Sequence, residues 1–292
     1  MFFKNDHSNS IIKSQNIKMI DPIFLDCFVY VFSLYLFVYL TYYIKSYNTY
    51  YWNTFTYVMS TLNALQCSYL VYYNLILTNS NNQLVGINHL LYSQDTFTKY
   101  SLMLFSSYLF TDGLFQLLSL TKLENLKKCL TPSLITSVLH HFVGGYGIYL
   151  MAEQGKGLGL ALYFAFTEIS TPFINLSWFL HHSKYKNSSF AYLVFMYFYG
   201  LFFFSRIVSI PVLYIYLDYN YERIMELPTL HMNMVYYGSY TLVALNSIWY
   251  VMLNLKALKF QEIPPLLNLG FMISSNFMVF FIFCAILLSS LE

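Results

Sequence analysis

His140 and His141 stand side by side in an apolar run from about Ser133 to Ala152. An imidazole gives and takes protons near neutral pH, so the pair has the chemistry of a general base or of a polar anchor. In hydrocarbon it needs polar partners, because an unpaired polar group there is costly. Several are available. Asp112 lies mid-run, with Gln116 one helical turn later on the same face. Glu168, Thr171 and Asn175 fall at i, i+3 and i+7 on one face, and Pro172 among them should kink the helix and free carbonyls at that depth. Arg206, five residues before Pro211, is too far from either end of its run to snorkel. It should pair internally with Asp112 or Glu168.

Neighbouring residues on a helix point about 100° apart, so the two rings make poor joint ligands for one ion. The i, i+4 histidine spacing of a zinc helix is absent, and no metal is expected. Cys27, Cys67, Cys129 and Cys284 are scattered without metal or redox-motif spacing and read as small buried hydrophobes. No cofactor is implied. His140, Gly144 and Gly147 form a stripe at i, i+4 and i+7 that lets another helix or a lipid chain come close.

The elements that must position these side chains follow from composition. The chain is 58% hydrophobic and 21% aromatic but only 10% charged, where a soluble domain carries about a quarter charged residues. Its 30 Tyr and 28 Phe exceed what a soluble core could hide, so the reading is an all-α integral membrane protein with several spans. The net charge of +2 says nothing about nucleic acid, but no basic run of the required density exists, and no nucleic-acid partner is expected.

A spanning helix needs about 20 mostly apolar residues. Eight stretches qualify, near Ile23–Ile44, Trp52–Leu77, Ser101–Leu120, Ser133–Ala152, Gly157–Leu180, Phe190–Leu217, Asn233–Leu255 and Pro265–Ser290. The expected organisation is a polar tail over 1–22, a leading helix and loop over 23–51, a six-helix domain over 52–255, and a linker with an extra helix over 256–292. The first apolar run lacks a small-residue cleavage pattern and reads as an anchor. Lysine and arginine number eight in the loops after spans one, three, five and seven, against six on the other side including the tail. That bias turns both termini to the lumen or exterior and leaves the sequon Asn187-Ser188-Ser189 cytosolic and unmodified.

These residues in this order resemble the TLC-domain family of multi-pass membrane proteins, which includes ceramide synthases and translocating-chain-associated proteins. The likeness is closest to the transmembrane protein 56 branch. It begins at Ser60-Thr61-Leu62-Asn63-Ala64-Leu65 and continues through Tyr108-Leu109-Phe110-Thr111-Asp112 to His140-His141. Its most specific part is Glu168-Ile169-Ser170-Thr171-Pro172-Phe173-Ile174-Asn175 with Trp178-Phe179-Leu180. Arg206, Pro211 and Leu245-Asn246-Ser247-Ile248-Trp249 follow. The resemblance implies a six-helix TLC domain over about Trp52 to Leu255. The family commonly has histidine where this chain has Asn63, and ceramide synthases carry further aspartates where this chain has Glu168 and its neighbours. Those departures weigh against acyl transfer and leave the fold untouched.

The function expected first is binding or regulation of a membrane lipid, an acyl-chain amphiphile with its head group among central polar residues. Its candidate binding residues are Asp112, His140, His141, Glu168, Asn175 and Arg206. The alternative is an acyltransferase resembling ceramide synthases, with His140 or His141 as general base and Asp112 or Glu168 orienting the imidazole. A third reading is a non-catalytic trafficking or interaction protein. The resemblance makes the endoplasmic reticulum the expected location, with the plasma membrane as the other option.

Overall fold

In hydrocarbon a chain must satisfy its own backbone hydrogen bonds, and a helix does so within one segment. The computed structural model describes residues 20–44, 49–74, 96–120, 131–155 and 157–258. Those residues form helices and short turns, with no strand among them. The stretch expected at Pro265–Ser290, the tail over 1–19, Cys129 and Cys284 lie outside the described residues.

Four long helices come first: α1 (Pro22–Ile44), α2 (Thr49–Tyr72), α3 (Thr96–Leu120) and α4 (Pro132–Gln154). Two broken helices follow. In the first, α5 (Leu158–Thr167) passes through a 3-10 turn at Glu168–Ser170 into α6 (Thr171–His181). In the second, α7 (Ser189–Phe203) widens into a π turn at Phe204–Val208 before α8 (Ile210–Tyr219). Short helices α9 (Tyr221–Met225) and α10 (Thr229–Asn233) then lead through a second π turn at Met234–Gly238 into α11 (Ser239–Leu258).

Both main breaks precede a proline. Pro172 has no N–H to return to Glu168, and the Thr171 N–H closes a tighter bond onto the Glu168 carbonyl instead. The break expected at Pro172 is thus a 3-10 turn that ends at Ser170, two residues before the proline. Pro211 sits in the first turn of α8, directly after the wide turn that carries Arg206. Between α4 and α5 the chain reverses through Gly155 and Gly157, whose φ angles of 65° and 83° lie in the left-handed region that glycine enters at least cost.

Among the described residues, three helical stretches are long and apolar enough to cross a membrane by length and composition: Pro22–Thr41, Leu134–Gln154 and Ser189–Tyr219. The outer face of α1 exposes Leu25, Val29, Tyr30, Phe37 and Leu40 while its inner face buries Cys27, Val31 and Tyr35. A helix apolar on both faces is suited to lipid outside and protein inside. This is a membrane protein.

Helix α3 holds the centre, packed most extensively on α4 and then on α1. It is lined with small and polar residues, including Ser101, Ser106, Ser107, Thr111 and Asp112, all buried. Ser106 donates to the Gly145 carbonyl of α4 at 2.7 Å, which stitches the two helices together. A β-carbon on Gly145 would stand 3.3 Å from Leu109 Cβ, and one on Gly113 would stand 3.0 Å from His141 Cβ. The close approach expected at Gly144 and Gly147 therefore falls mainly at Gly145 and, from the other helix, at Gly113. Gly144 meets only the end of Leu109, and Gly147 meets methionine side chains. A second apolar cluster joins Phe195, Phe198, Tyr199, Phe202 and Leu253 where α7 meets α11.

Candidate functional site

Two buried polar groups meet at the histidine pair. The first is built on α3. Asp112 Oδ1 accepts from the Tyr35 hydroxyl of α1 at 2.7 Å, and Oδ2 accepts from Gln116 Nε2 at 2.7 Å. His141 brings Nδ1 to 3.5 Å from the same Oδ2 and to 3.3 Å from the Leu109 carbonyl. Both neighbours of Nδ1 are acceptors, so the proton belongs there and Nε2 carries the lone pair. Gln116 Nε2, 3.5 Å from His141 Nε2, has a second hydrogen to offer it. One tautomer thus serves every contact on the ring.

The second group is built on the 3-10 turn. Glu168 Oε1 accepts from Arg206 Nη2 at 3.1 Å, and Oε2 accepts from Thr171 at 2.8 Å. Arg206 Nη1 donates to Asn246 Oδ1 of α11 at 3.0 Å. His140 Nε2 lies 3.7 Å from Glu168 Oε1, the oxygen that Arg206 also holds. The guanidinium stands over the rings of Phe202 at 5.2 Å and Trp249 at 5.7 Å. Trp249 packs against His140 with centroids 5.1 Å apart and is fixed by its own bond to Thr136 at 2.9 Å. A cation between a carboxylate and two aromatic faces is stabilised from several sides after leaving water.

The rings of His140 and His141 are nearly perpendicular, with centroids 5.6 Å apart. Consecutive residues on α4 therefore address different acids: His140 faces Glu168 and His141 faces Asp112. Arg206 chooses Glu168 of its two expected partners. Asn175 is placed elsewhere, donating from α6 to the Tyr57 carbonyl at 3.0 Å and to Thr61 at 2.9 Å on α2. Its amide ties α6 to α2 and touches neither histidine in these bonds. Three contributors had escaped sequence reasoning. Tyr35 carries no signal in a chain with 30 tyrosines. Asn246 and Trp249 lie in an apolar run, where neither residue type by itself marks a site.

His140 Nδ1, Arg206 Nε, Asn63 Oδ1 and Thr111 Oγ1 are buried with no hydrogen-bond partner among the described residues. Among those residues no group of three or more His, Cys, Asp or Glu is arranged to hold a metal ion.

The family model for the TLC domain matches residues 51–254. The chain belongs to the TLC-domain family. The matched stretch contains Asp112, His140, His141, Glu168, Asn175, Arg206, Asn246 and Trp249, and begins after Tyr35. No curated protein and no solved structure gave a match. The TLC domain is a family of lipid-related membrane proteins, and helix α1 adds to that domain a residue bonded to its central aspartate.

Proposed function

We propose that this protein binds an acyl-chain lipid in the bilayer and regulates it through the centre around His140 and His141, as part of membrane lipid homeostasis. One observation carries the reading: a buried network of two acids, an arginine and two imidazoles that still presents unmade hydrogen bonds at His140 Nδ1 and Arg206 Nε among the described residues. Apolar walls suit an acyl chain, and convergent polar atoms suit a head group. The site residues of this reading are Asp112, His140, His141, Glu168 and Arg206, with Asn175 holding α6 in place. Among TLC proteins we place the chain nearest the transmembrane protein 56 branch, as a six-helix domain with flanking helices in the endoplasmic reticulum.

A specific contact favours acyl transfer as the second reading. Glu168 Oε1 sits 3.7 Å from His140 Nε2, an acid beside one ring nitrogen while the other nitrogen is unbonded among the described residues. This is the arrangement of a general base with an orienting carboxylate, aimed at an amine or hydroxyl.

Mass spectrometry of lipids retained after gentle purification separates the readings. One dominant lipid, lost in His140→Ala and His141→Ala, is the expected outcome. No retained lipid overturns the lipid-binding reading. Altered lipid-acylation profiles in a knockout background complemented by the same variants would establish the acyltransferase instead.

A further inference from the structure

The unmade bonds at the centre have a sense as well as a place. Arg206 is only 5% exposed, and its two terminal nitrogens are engaged by Glu168 and Asn246. That leaves Nε–H, a donor that cannot be deprotonated in a protein, buried without a partner among the described residues. His140 directs Nε2 toward Glu168 Oε1, so its proton belongs on that nitrogen and Nδ1 is left as an acceptor, also buried and unpartnered among the described residues. Both side chains share Glu168 Oε1 and the ring of Trp249. The centre thus offers one donor and one acceptor on neighbouring side chains.

Formal charge sets the second condition. Asp112 and Glu168 bring two acids to this centre against the single guanidinium, which the Glu168 carboxylate already engages at 3.1 Å. A phosphate head group would meet the Glu168 carboxylate and a cation that this carboxylate already neutralises, and it has no hydrogen to spare for His140 Nδ1 when doubly ionised. A hydroxyl fits both conditions, since it donates through its hydrogen and accepts through its oxygen.

We infer that the His140–Arg206 site takes an uncharged acyl lipid with a free hydroxyl, the O–H donated to His140 Nδ1 and an oxygen of the head accepting from Arg206 Nε–H. This rests on the lipid-binding reading above and adds the head-group class. Selectivity against phosphate follows from the local excess of acid, and selectivity against fully esterified lipids follows from the need for a donor.

The test is binding of dioleoylglycerol, dioleoyl phosphatidate and trioleoylglycerol to the full-length protein in detergent micelles, read by native mass spectrometry and by thermal shift. Dioleoylglycerol is expected to bind at least about tenfold more tightly than the other two, the scale of one buried hydrogen bond. His140→Phe removes the acceptor and should cancel that preference. His140→Gln keeps a carbonyl acceptor and should restore part of it, which separates recognition from a folding defect. Phosphatidate binding as tightly as dioleoylglycerol overturns the head-group assignment and leaves the lipid-binding reading standing. Equal dioleoylglycerol binding in His140→Phe also overturns the assignment. Binding of none of the three overturns it too, and the broader reading then depends on the lipids retained from the cell.

Discussion

The Tyr35 hydroxyl donates to Asp112 Oδ1 at 2.7 Å, from a helix that lies before the TLC domain to the acid at the centre of it. Tyr35 is fully buried, with the rings of Phe55, Phe115 and Trp52 at 5.0, 5.4 and 6.2 Å. The aromatic box holds the phenol in place, and Asp112 in turn accepts from Gln116 and faces His141. Helix α1 is therefore joined to the site and is more than an anchor beside it.

Tyr35→Phe keeps the box and deletes the bond. Stability in detergent should fall by about 1–2 kcal/mol, the range for a buried hydrogen bond to a charged group as moderated in membranes. A double-mutant cycle with Asp112→Asn checks it. The two substitutions should be non-additive, because both remove the same contact.

Arg206 and Glu168 form a buried pair, so removing one partner is worse than removing both. Arg206→Met leaves the carboxylate unpaired and should cost about 3–5 kcal/mol. Arg206→Met with Glu168→Gln should recover a large part of that loss. Denaturant unfolding of purified protein measures both; a double variant no more stable than Arg206→Met would contradict the pairing.

A methyl group at position 113 would press on the neighbouring helix beside the site. In Gly113→Ala the new Cβ would lie 3.0 Å from His141 Cβ, an atom tied to the α4 backbone and unable to turn aside. Separating α3 from α4 should cost about 1–3 kcal/mol. Gly144→Ala serves as the control, since its nearest neighbour is the flexible end of Leu109 at 3.5 Å. Lipid retention should fall in the first variant and persist in the second.

Asp21, just before α1, accepts from the Ile23 N–H at 2.9 Å and pairs with Lys99 at 2.6 Å. Burial pushes its carboxyl up, but the Lys99 ammonium and the Ile23 and Phe24 N–H groups outweigh this and hold it below the ordinary aspartate range. A depressed folded value means fewer bound protons in the folded state than in the unfolded one. The stabilisation is thus fully present above about pH 4 and is lost as pH falls through the lower folded value. Melting temperature measured from about pH 6 down to 3 should show this decline, and Asp21→Asn should flatten it.

Much of this centre was legible in the sequence because acids, bases and prolines are rare within apolar runs. Arg206 could be confined to two partners by charge alone, and geometry selected Glu168. Pro172 announced a break, and the missing N–H explains the 3-10 turn that presents Glu168. Other features were not legible. Asn175 shares a helical face with Glu168 by periodicity, but a break inside that helix and the nearness of α2 direct its amide to Tyr57 and Thr61. Tyr35 is one aromatic among many, and only long-range packing reveals it. The tightest glycines, Gly113 and Gly145, depend on how α3 and α4 face each other, which no spacing within one helix encodes.

Because His140 and His141 are consecutive on α4, they share one rotational coordinate. Their acids belong to separate elements, Asp112 to α3 and Glu168 to the turn before α6. Turning α4 about its axis to improve one alignment swings the other ring sideways, so a single helix setting satisfies both. The tandem pair makes the mutual placement of three chain segments a condition of its own polar contacts. A displacement of α4 is registered at both rings together.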